Sequence, residues 1–437
     1  MQTPVTLDAL VSLCKRRGFV YQSAEIYGGL NGVYDFGPLG ALLKQNIKSA
    51  WMSALNSSGR DIVYLDGAIL GAQPVWQASG HVTNFNDPMI DCLTCKKRYR
   101  ADDDNIDTSK PCPHCGNTTW TAVRQFNMMF KTEVGAASDQ SSIAYLRPET
   151  AQAIFVNFKN VISTTRVKIP FGIAQIGKAF RNEITPKQFL FRMREFEQME
   201  IEWFCKDEYS LADFEVWCQE RLAFYASIGI TADKIRLRPH VKDELAHYAQ
   251  RCTDVEYQFP FGWKELEGIA HRGSFDLTQH STHSGKDLSV FEQESSSSYV
   301  PTVVECSVGV DRLFLTLLFD AYHEDIVEGE KRIVLRLHPR IAPVKAAFLP
   351  LVKKLSEPME KLYRQARQAG LSVQYDESGS IGKRYRRQDE IGTPLCITYD
   401  FDSENDQSVT IRDRDTTEQK RMPIDQVLPY VTAMMQR

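Results

Sequence analysis

Apolar residues recur at helical spacing in two segments of the chain. The first segment predicts an amphipathic helix over Leu42–Leu55, with an apolar side that consists of Leu43, Ile47, Trp51 and Leu55. Pro148, Glu149 and Thr150 open the second, whose apolar side consists of Ala151, Ile154, Phe155, Phe158 and Ile162. Both helices therefore have one face to bury.

Two longer segments predict extended strands. Phe171–Glu183 and Arg194–Phe204 read as the arms of a hairpin, and the connection between them is polar, basic and longer than a tight turn. Long antiparallel strands combined with helices are typical of the α+β class and disfavour a doubly wound parallel sheet.

Side chains alternate across a strand, so the second arm gathers unusual chemistry on one face. That face carries Arg194, Phe196, Gln198, Glu200 and Glu202. The facing arm adds Gln175, Arg181 and Glu183. Charges in mid-strand are costly unless they are paired or face a ligand. Two interpretations stay open here: a ligand site, or a solvated sheet face with cross-strand ion pairs.

The C-terminal part alternates between short strands and helices, which predicts an α/β domain of about 100 residues. The predicted strands are Arg332–Leu337, Val344–Phe348, Leu371–Tyr375, Leu395–Tyr399 and Ser408–Arg412, and the helix is Glu357–Gln368. Residues 331–437 hold 19 Lys and Arg against 14 Asp and Glu, a net charge of +5 in a chain of net charge −4. This asymmetry favours an anionic partner at that end.

Composition excludes several classes. The 437 residues are 43% hydrophobic and 25% charged, which is incompatible with a collagen-like, mucin-like or largely disordered chain. The longest strongly apolar stretch, Leu313–Phe319, is much shorter than the ~20 residues that span a bilayer. Asp8, Lys15 and Arg16 lie where a signal peptide needs an apolar core. We therefore expect a cytoplasmic protein without a membrane partner.

Four of the ten cysteines form two pairs of equal spacing. Cys92 and Cys95 are followed, 16 residues later, by Cys112 and Cys115. Two such knuckles complete a tetrahedral zinc site with no open position, so we expect a structural Zn²⁺ in a small ribbon at residues 91–120. Gly116 would relieve the turn after the second pair. The alternatives are unrelated dithiol pairs or a redox pair.

A strand that ends at Gly309 leads into a helix. Arg312 lies in the first helical turn, where it opposes the helix dipole but suits an anion. Glu305 and Ser307 share one face of the approaching strand. Alone, this pattern is weak and is better explained by a buried helix with a surface arginine.

Taken together, these motifs resemble a known family. Phe180–Glu183 (FRNE) with Phe191–Phe196 (FRMREF) resembles motif 2 of class II aminoacyl-tRNA synthetases, and Gly309–Arg312 (GVDR) resembles motif 3. Seven longer strings, in order along nearly the whole chain, resemble glycyl-tRNA synthetases of the homodimeric type. They are Tyr34–Gly40, Ala78–His81, Tyr145–Gln152, Arg194–Glu202, Glu265–Arg272, Glu305–Arg312 and Gly382–Pro394.

The resemblance implies a six-stranded antiparallel catalytic sheet flanked by helices, a zinc-ribbon insertion and an anticodon-binding domain. The implied segments are 1–90 (N-terminal part of the catalytic domain with the motif 1 dimer region), 91–120 (ribbon), 121–330 (catalytic domain with motifs 2 and 3) and 331–437 (anticodon-binding domain). It also implies ATP-dependent activation of glycine, transfer to the 3′ end of tRNA(Gly), and a homodimer.

The resemblance also implies residue roles. Arg181 would stabilise the α-phosphate and Arg312 the γ-phosphate as the catalytic residues, with Mg²⁺ bridging the phosphates, while Glu183 and Phe196 would hold adenine. The implied ATP-binding residues are Arg181, Asn182, Glu183, Phe191, Arg192, Met193, Arg194, Glu195, Phe196, Glu265, Leu266, Gly309, Val310, Asp311 and Arg312. The implied glycine-binding residues are Arg100, Glu149, Phe196, Glu197, Gln198, Met199, Glu200, Arg272, Glu305, Cys306, Ser307, Val308 and Gly309.

Glycine offers no side chain to hold, so the pocket must bind its ammonium and carboxylate and fill the remaining space. Glu149, Glu200 and Glu305 would surround the ammonium group. Three converging carboxylates repel one another, so we expect one of them to have a raised pKa in the empty protein.

The sequence departs from the family at three positions, Ala153, His271 and Cys306, where Gly, Asn and Pro are usual. Because no charged residue of the predicted site is lost, activity should be retained. Three other functions remain possible at this point: transfer of glycine to an acceptor other than tRNA, a noncatalytic paralogue that binds tRNA or ATP and glycine, and another class II specificity. The basic cluster Lys383–Arg387 argues against the first.

Overall fold

The computed structural model describes residues 5–103, 106–135, 142–245, 249–327 and 329–435. Its helices are α1 (Leu7–Arg17), α2 (Pro38–Asn56), α3 (Gln73–Ala78), α4 (His81–Asn84), α5 (Ala151–Thr165), α6 (Asp207–Ser227), α7 (Phe275–Ser284), α8 (Val310–Ala321), α9 (Ser356–Gln368), α10 (Ile381–Ile391), α11 (Ser403–Asp406) and α12 (Ile424–Met435). Its strands are β1 (Val20–Gln22), β2 (Tyr34–Phe36), β3 (Ile62–Tyr64), β4 (Leu70–Ala72), β5 (Asn86–Asp91), β6 (Arg98–Arg100), β7 (Arg124–Asn127), β8 (Lys131–Glu133), β9 (Ile143–Leu146), β10 (Phe171–Phe180), β11 (Glu195–Cys205), β12 (Ile235–Pro239), β13 (Arg251–Phe259), β14 (Gly262–Gly273), β15 (Val290–Glu292), β16 (Ser297–Tyr299), β17 (Thr302–Gly309), β18 (Tyr322–Val327), β19 (Glu330–Leu335), β20 (Ala346–Pro350), β21 (Val373–Tyr375), β22 (Leu395–Tyr399), β23 (Ser408–Asp413) and β24 (Gln419–Pro423).

The central feature is a seven-stranded sheet in the order β12-β13-β14-β17-β11-β10-β3. Six of its strands are antiparallel to their neighbours, as expected, and the short β3 adds a parallel edge to β10. The predicted hairpin forms with β10 paired to β11 over ten positions, from Phe171 opposite Phe204 to Phe180 opposite Glu195.

One face of this sheet is apolar. Met199, Ile201, Val304 and Val308 point to this face and belong to a core that α2, α6 and α8 complete. The other face is covered by α5 and α7 only at one end, where a second core forms around Phe155 and Phe158. The rest of that face stays open as a cleft.

Strand pairing arranges the polar side chains of the open face in rows, since directly opposed residues point to the same side. One row runs Gln175, Glu200, Ser307, Gly268, Asp254 across five strands. A neighbouring row places Glu202 opposite Glu305, Glu305 opposite Ala270, and Ala270 opposite Cys252. The alternation that the sequence shows in one strand thus extends over the whole sheet.

The C-terminal part forms a five-stranded sheet in the order β21-β20-β22-β23-β24. Its core comes from α9, α12 and the strands. One prediction needs correction: the segment predicted as strand Arg332–Leu337 pairs, as β19, with β18 in a separate hairpin and is not part of this sheet. No described helix has the length and apolarity required to cross a membrane.

Candidate active site

The open face of the central sheet holds a cleft of about 400 Å³. Predicted site residues that line it are Glu149, Arg181, Glu183, Phe191, Arg192, Met193, Phe196, Gln198, Glu200, Glu265, Leu266, Glu305, Ser307, Gly309, Asp311 and Arg312. Residues from four separate sequence motifs therefore meet in one cavity.

Arg181 lies just beyond the end of β10, and neighbouring groups hold its guanidinium in place. Its guanidinium lies 5.4 Å from the ring centroids of both Phe85 and Phe196, and its Nε donates to the Pro148 carbonyl at 3.2 Å. It forms no ion pair with any residue that the structure describes. An arginine that is held but not neutralised is suited to an anionic ligand.

Arg312 lies in the first turn of α8 on the opposite side of the cleft. Its guanidinium stacks over the Phe191 ring at 4.5 Å and contacts the Glu265 carboxylate at 3.2 Å. Glu183 is buried in the same cleft, and burial raises its pKa although Arg192 and Arg181 act to lower it. The cleft thus has arginines on two sides with aromatic rings beside them.

Glu200 is the centre of the buried polar cluster at the other end. It accepts hydrogen bonds from Thr150 Oγ1, from Ser307 Oγ at 2.7 Å and from Gln198 Nε2 at 3.0 Å. Burial, reinforced by the charges of Glu305 and Glu149, raises its pKa to about 7. Glu200 therefore has the raised pKa that was expected of one of the three carboxylates, and the pKa of Glu305 is raised as well.

Arg272 lies beneath the carboxylate cluster and compensates part of its negative charge. Its guanidinium contacts Glu305 at 2.6 Å and Asp276 at 2.8 Å, and all three side chains are buried. Burial raises the pKa of Glu305, and Arg272 opposes that shift. Glu202, also buried, has its pKa raised well above the usual value by burial and by Glu305.

Glu149 behaves in the opposite way to Glu200. Burial acts to raise its pKa, but His81 at 3.3 Å, Arg272 and a hydrogen bond from Gln152 together hold the pKa below the usual value. This carboxylate remains ionised where Glu200 takes up a proton. The cluster therefore holds anionic and protonable carboxyl groups side by side.

Several predicted site residues lie outside the cleft, because strand alternation or an internal partner directs them elsewhere. The side chains of Met199, Cys306, Val308 and Val310 are in the core on the other face of the sheet. Glu197 pairs with Lys44 and Lys48, and Glu195 pairs with Lys178. Arg194, expected near phosphate, donates instead to the main-chain carbonyls of Glu183 and Asn31.

Arg100 and Asn182 lie beside the cleft without lining it. The Arg100 guanidinium is 3.3 Å from Asp87 and 2.7 Å from Asp102, and its charge acts to lower the pKa of Glu183. The main-chain N–H of Asn182 donates to the Met128 carbonyl.

Two of the three departures from the family pattern leave the pocket untouched. Cys306 points into the core, so its side chain does not enter the cleft. His271 is buried with Nε2 2.8 Å from Ser210 Oγ, and burial lowers its pKa, as expected of a neutral hydrogen-bonding residue. Ala153 packs close to Gly67. A Cβ added at Gly67 would lie 2.6 Å from the Cβ of Ala153.

The four predicted cysteine ligands come together. The Sγ–Sγ distance is 3.6 Å for Cys92–Cys115 and 3.8 Å for Cys95–Cys112, and all four sulfurs lie within 4.8 Å of one another. A Zn–S length of 2.3 Å implies tetrahedral edges of about 3.8 Å, so the set fits zinc. The knuckles also match, since Lys96 and Gly116 occupy equivalent positions with φ of 60° and 73°.

Sequence reasoning missed three residues that organise the site: His81, Gln152 and Asp276. His81 and Gln152 belong to family-like strings but carry no signal of their own, because their importance depends on contacts with distant residues. Asp276 follows Arg272 by four residues, but Arg272 lies on β14 and Asp276 on α7, so the helical i,i+4 rule does not indicate their ion pair.

The similarity to known proteins agrees with this geometry. Residues 130–322 match the tRNA synthetase class II core domain (G, H, P, S and T), and residues 345–434 match the anticodon binding domain. A glycine–tRNA ligase of Caldanaerobacter subterraneus subsp. tengcongensis is 52% identical over 99% of both chains. The enzymes of Geobacillus thermodenitrificans (51%; 98% of this chain and 97% of the relative) and Bacillus anthracis (49%; 99% of both) are similar over comparable lengths. The chain therefore belongs to the glycine–tRNA ligase family of class II aminoacyl-tRNA synthetases, and it charges tRNA with glycine.

Proposed function

We propose that this cleft joins glycine to AMP at the expense of ATP and then passes the glycyl group to the 3′-terminal ribose of tRNA(Gly). The observation that carries the assignment of roles is the presence of two environments in one cavity. Arg181 and Arg312 line it beside aromatic rings, and the carboxylates of Glu149, Glu200 and Glu305 line it as well. The first environment suits a nucleoside triphosphate, and the second suits a small ammonium group.

In the first step, a carboxylate oxygen of glycine attacks the α-phosphorus of ATP, and the bond to the leaving pyrophosphate breaks. Arg181 would stabilise the charge that develops on the α-phosphate, and Arg312 would hold the γ-phosphate. No covalent intermediate on the protein is needed, because positioning and charge stabilisation supply the catalysis. Mg²⁺ would arrive with ATP and neutralise phosphate charge.

In the second step, the terminal ribose hydroxyl attacks the glycyl carbonyl and AMP leaves. The domain matched as anticodon-binding would hold the other end of the tRNA. The cluster Lys383–Arg387 contributes less to that contact than its charge suggests. Arg384 donates to the main-chain carbonyls of Pro350 and Leu351, and Arg387 pairs with Asp376. The alternative of a noncatalytic paralogue is not favoured, since Arg181, Glu183 and Arg312 all line the cleft.

The finer features of the proposal concern assembly and location. We propose domain boundaries near residues 90, 120 and 330, a structural zinc in the ribbon, a cytoplasmic location and a homodimer formed largely through the motif 1 region. Leu42 and Met52 on α2 and Tyr64 on β3 are exposed apolar residues in that region. Sedimentation equilibrium should give twice the chain mass of 49.8 kDa.

Glycine-dependent exchange of pyrophosphate into ATP, measured without tRNA, tests the first step. Exchange with glycine but not with alanine or serine is expected, because Glu149, Glu200 and Glu305 line the cleft where a side chain would lie. Exchange with alanine at a similar kcat/KM would contradict the glycine pocket. A folded protein that binds ATP but exchanges with no amino acid would contradict the catalytic assignment.

The affinity for glycine should depend on pH through Glu200. Its pKa is about 7 in the empty protein, and the proton must leave before the carboxylate can bind an ammonium group. The kcat/KM for glycine should therefore rise by up to about tenfold per pH unit below pH 7 and level off above it. Glu200→Gln should remove this dependence and raise the KM by about tenfold to a hundredfold, since one charged hydrogen bond is lost.

Glu208→Gln is the matched control for that experiment, because Glu208 is exposed at the start of α6. Its profile should follow that of the unmodified protein. A profile for Glu200→Gln that still shows the inflection near pH 7 would assign the titration to another group.

Loss of one ribbon thiol should release zinc without unfolding the catalytic sheet. Cys112→Ser should reduce the zinc content, measured by mass spectrometry of the metal, by one equivalent per chain. Limited proteolysis should then cut within residues 91–120. Cys218→Ala, which alters a buried thiol of the core, should keep the zinc, and its loss in both variants would point to a general folding defect.

A further inference from the structure

The cleft continues beyond the parts proposed to bind ATP and glycine. On its floor, Glu305 and Ser307 are followed by Ala270 and Gly268 of β14, which carry almost no side chain. An added Cβ at Gly268 would meet nothing within 4 Å. The floor is therefore open up to β13, two strand spacings or about 10 Å from the glycine end.

Three chemically distinct side chains form the far wall of this extension. Cys252 and Asp254 are alternate residues of β13 on the cleft face, and His240 follows β12 directly opposite Cys252. One ligand atom from each, a thiol sulfur, a carboxylate oxygen and an imidazole nitrogen, lies within 4.8 Å of the others. Zinc sites combine these donor types. The distances between ligand atoms in such sites are about 3.3–3.8 Å, which is about 1 Å shorter than the 4.8 Å limit here.

The imidazole is poorly satisfied without a further ligand. His240 Nε2 is 2.8 Å from Asp254 Oδ2, but neither ring nitrogen is oriented for a hydrogen bond with any group in the described part of the chain. Both nitrogens are buried. A metal bound through one of these nitrogens would give that nitrogen the partner it lacks here.

The surrounding charges favour a cation. The negative charges of Asp254, Glu305 and Glu265 interact electrostatically with the Cys252 thiol. Glu244 lines the same wall. The nearest described cation, Arg238, is 3.9 Å from Asp254, and its Nη2 is taken by Glu244 at 2.5 Å.

We propose that His240, Cys252 and Asp254 form a second metal site, of the Zn²⁺ class, separate from the four-cysteine ribbon. Three protein ligands leave the fourth position open to the cleft, unlike the closed ribbon site. The thiol selects a borderline or soft metal over Mg²⁺ and Ca²⁺, which prefer oxygen ligands. The site does not depend on the roles proposed for the other residues of the cleft.

Titration of the full-length protein with Co²⁺ and Zn²⁺ tests this site. Two equivalents of metal should bind per chain, and the second should add a thiolate-to-cobalt absorption of its own. Cys252→Ser should remove that absorption, and His240→Ala should weaken the second site about tenfold or more. Cys112→Ser should instead remove the ribbon equivalent and leave the second in place.

Cys218→Ala is the control for loss of an unrelated thiol and should bind two equivalents. Binding of one equivalent only, unaffected by Cys252→Ser and His240→Ala, would overturn the proposal and leave an ion pair beside a free thiol. Equal loss of both equivalents in Cys252→Ser would do the same, because it would mean that the variant disturbs the ribbon.

Discussion

Replacement of Arg181 by alanine should lower the rate of glycine-dependent pyrophosphate exchange by about a hundred- to a thousandfold. The magnitude is that of one preorganised donor to a transition-state charge. Arg181 is held between two aromatic rings and the Pro148 carbonyl before any ligand arrives, so its orientation requires no rearrangement during the reaction. The loss should fall mainly on kcat if the charge it stabilises is larger in the transition state than in bound ATP.

Lys178→Ala provides the comparison. Lys178 lies on β10, three residues before Arg181, its side chain is 40% exposed, and it pairs with Glu195 outside the cleft. It should keep its exchange rate within about twofold, as surface ion pairs contribute little. Arg181→Lys should not restore the rate, since an ammonium cannot reproduce the planar guanidinium contacts. An Arg181→Ala enzyme with normal kcat would remove this residue from the catalytic step.

The sequence predicted the hairpin of the central sheet and the site on it for a physical reason. β10 and β11 alternate strictly, so the side on which each residue lies can be read from its position. Glu200 and Glu305 were identified in this way on separate strands. Their adjacency, by contrast, depends on the pairing of β11 with β17, which joins segments about 100 residues apart and leaves no local pattern.

The same limit explains why the sequence did not reveal the contacts of certain arginines. Arg194 precedes a strand whose next residues line the site, and its charge suggested a phosphate ligand. The structure shows that it holds two main-chain carbonyls. In the C-terminal part, Arg384 looked like part of a basic surface but is buried beneath β20. Charge alone does not distinguish a ligand-binding arginine from one that satisfies buried carbonyl groups.

Removal of the Arg272 charge should have the second large effect, on glycine binding and stability together. Arg272→Met leaves Glu305 and Asp276 buried without their shared cation, which should cost about 3–5 kcal/mol of unfolding free energy. Arg272 also holds down the pKa of Glu305. Without it the pKa of Glu305 should rise further, and a protonated Glu305 would no longer be an anionic partner for the glycine ammonium.

We expect the KM for glycine to rise by at least about tenfold in Arg272→Met, with the KM for ATP nearly unchanged, because loss of one charged contact is worth at least about 1.5 kcal/mol. Arg221→Met separates this effect from a loss of stability. Arg221 is as deeply buried and contacts Glu267 at 2.8 Å, but on the opposite face of the sheet. It should lower the denaturation midpoint to a similar extent and leave the glycine KM unchanged.

The two variants therefore distinguish a buried ion pair that shapes the glycine pocket from one that only supports the fold. If Arg272→Met is too unstable to assay, Asp276→Asn removes one carboxylate and keeps the shape of the side chain. With less competition for Arg272, the pKa of Glu305 should fall, and the affinity for glycine at neutral pH should be maintained or increased. Equal changes in glycine KM for Arg272→Met and Arg221→Met would show that the fold alone, and not the charge beneath Glu305, determines glycine binding.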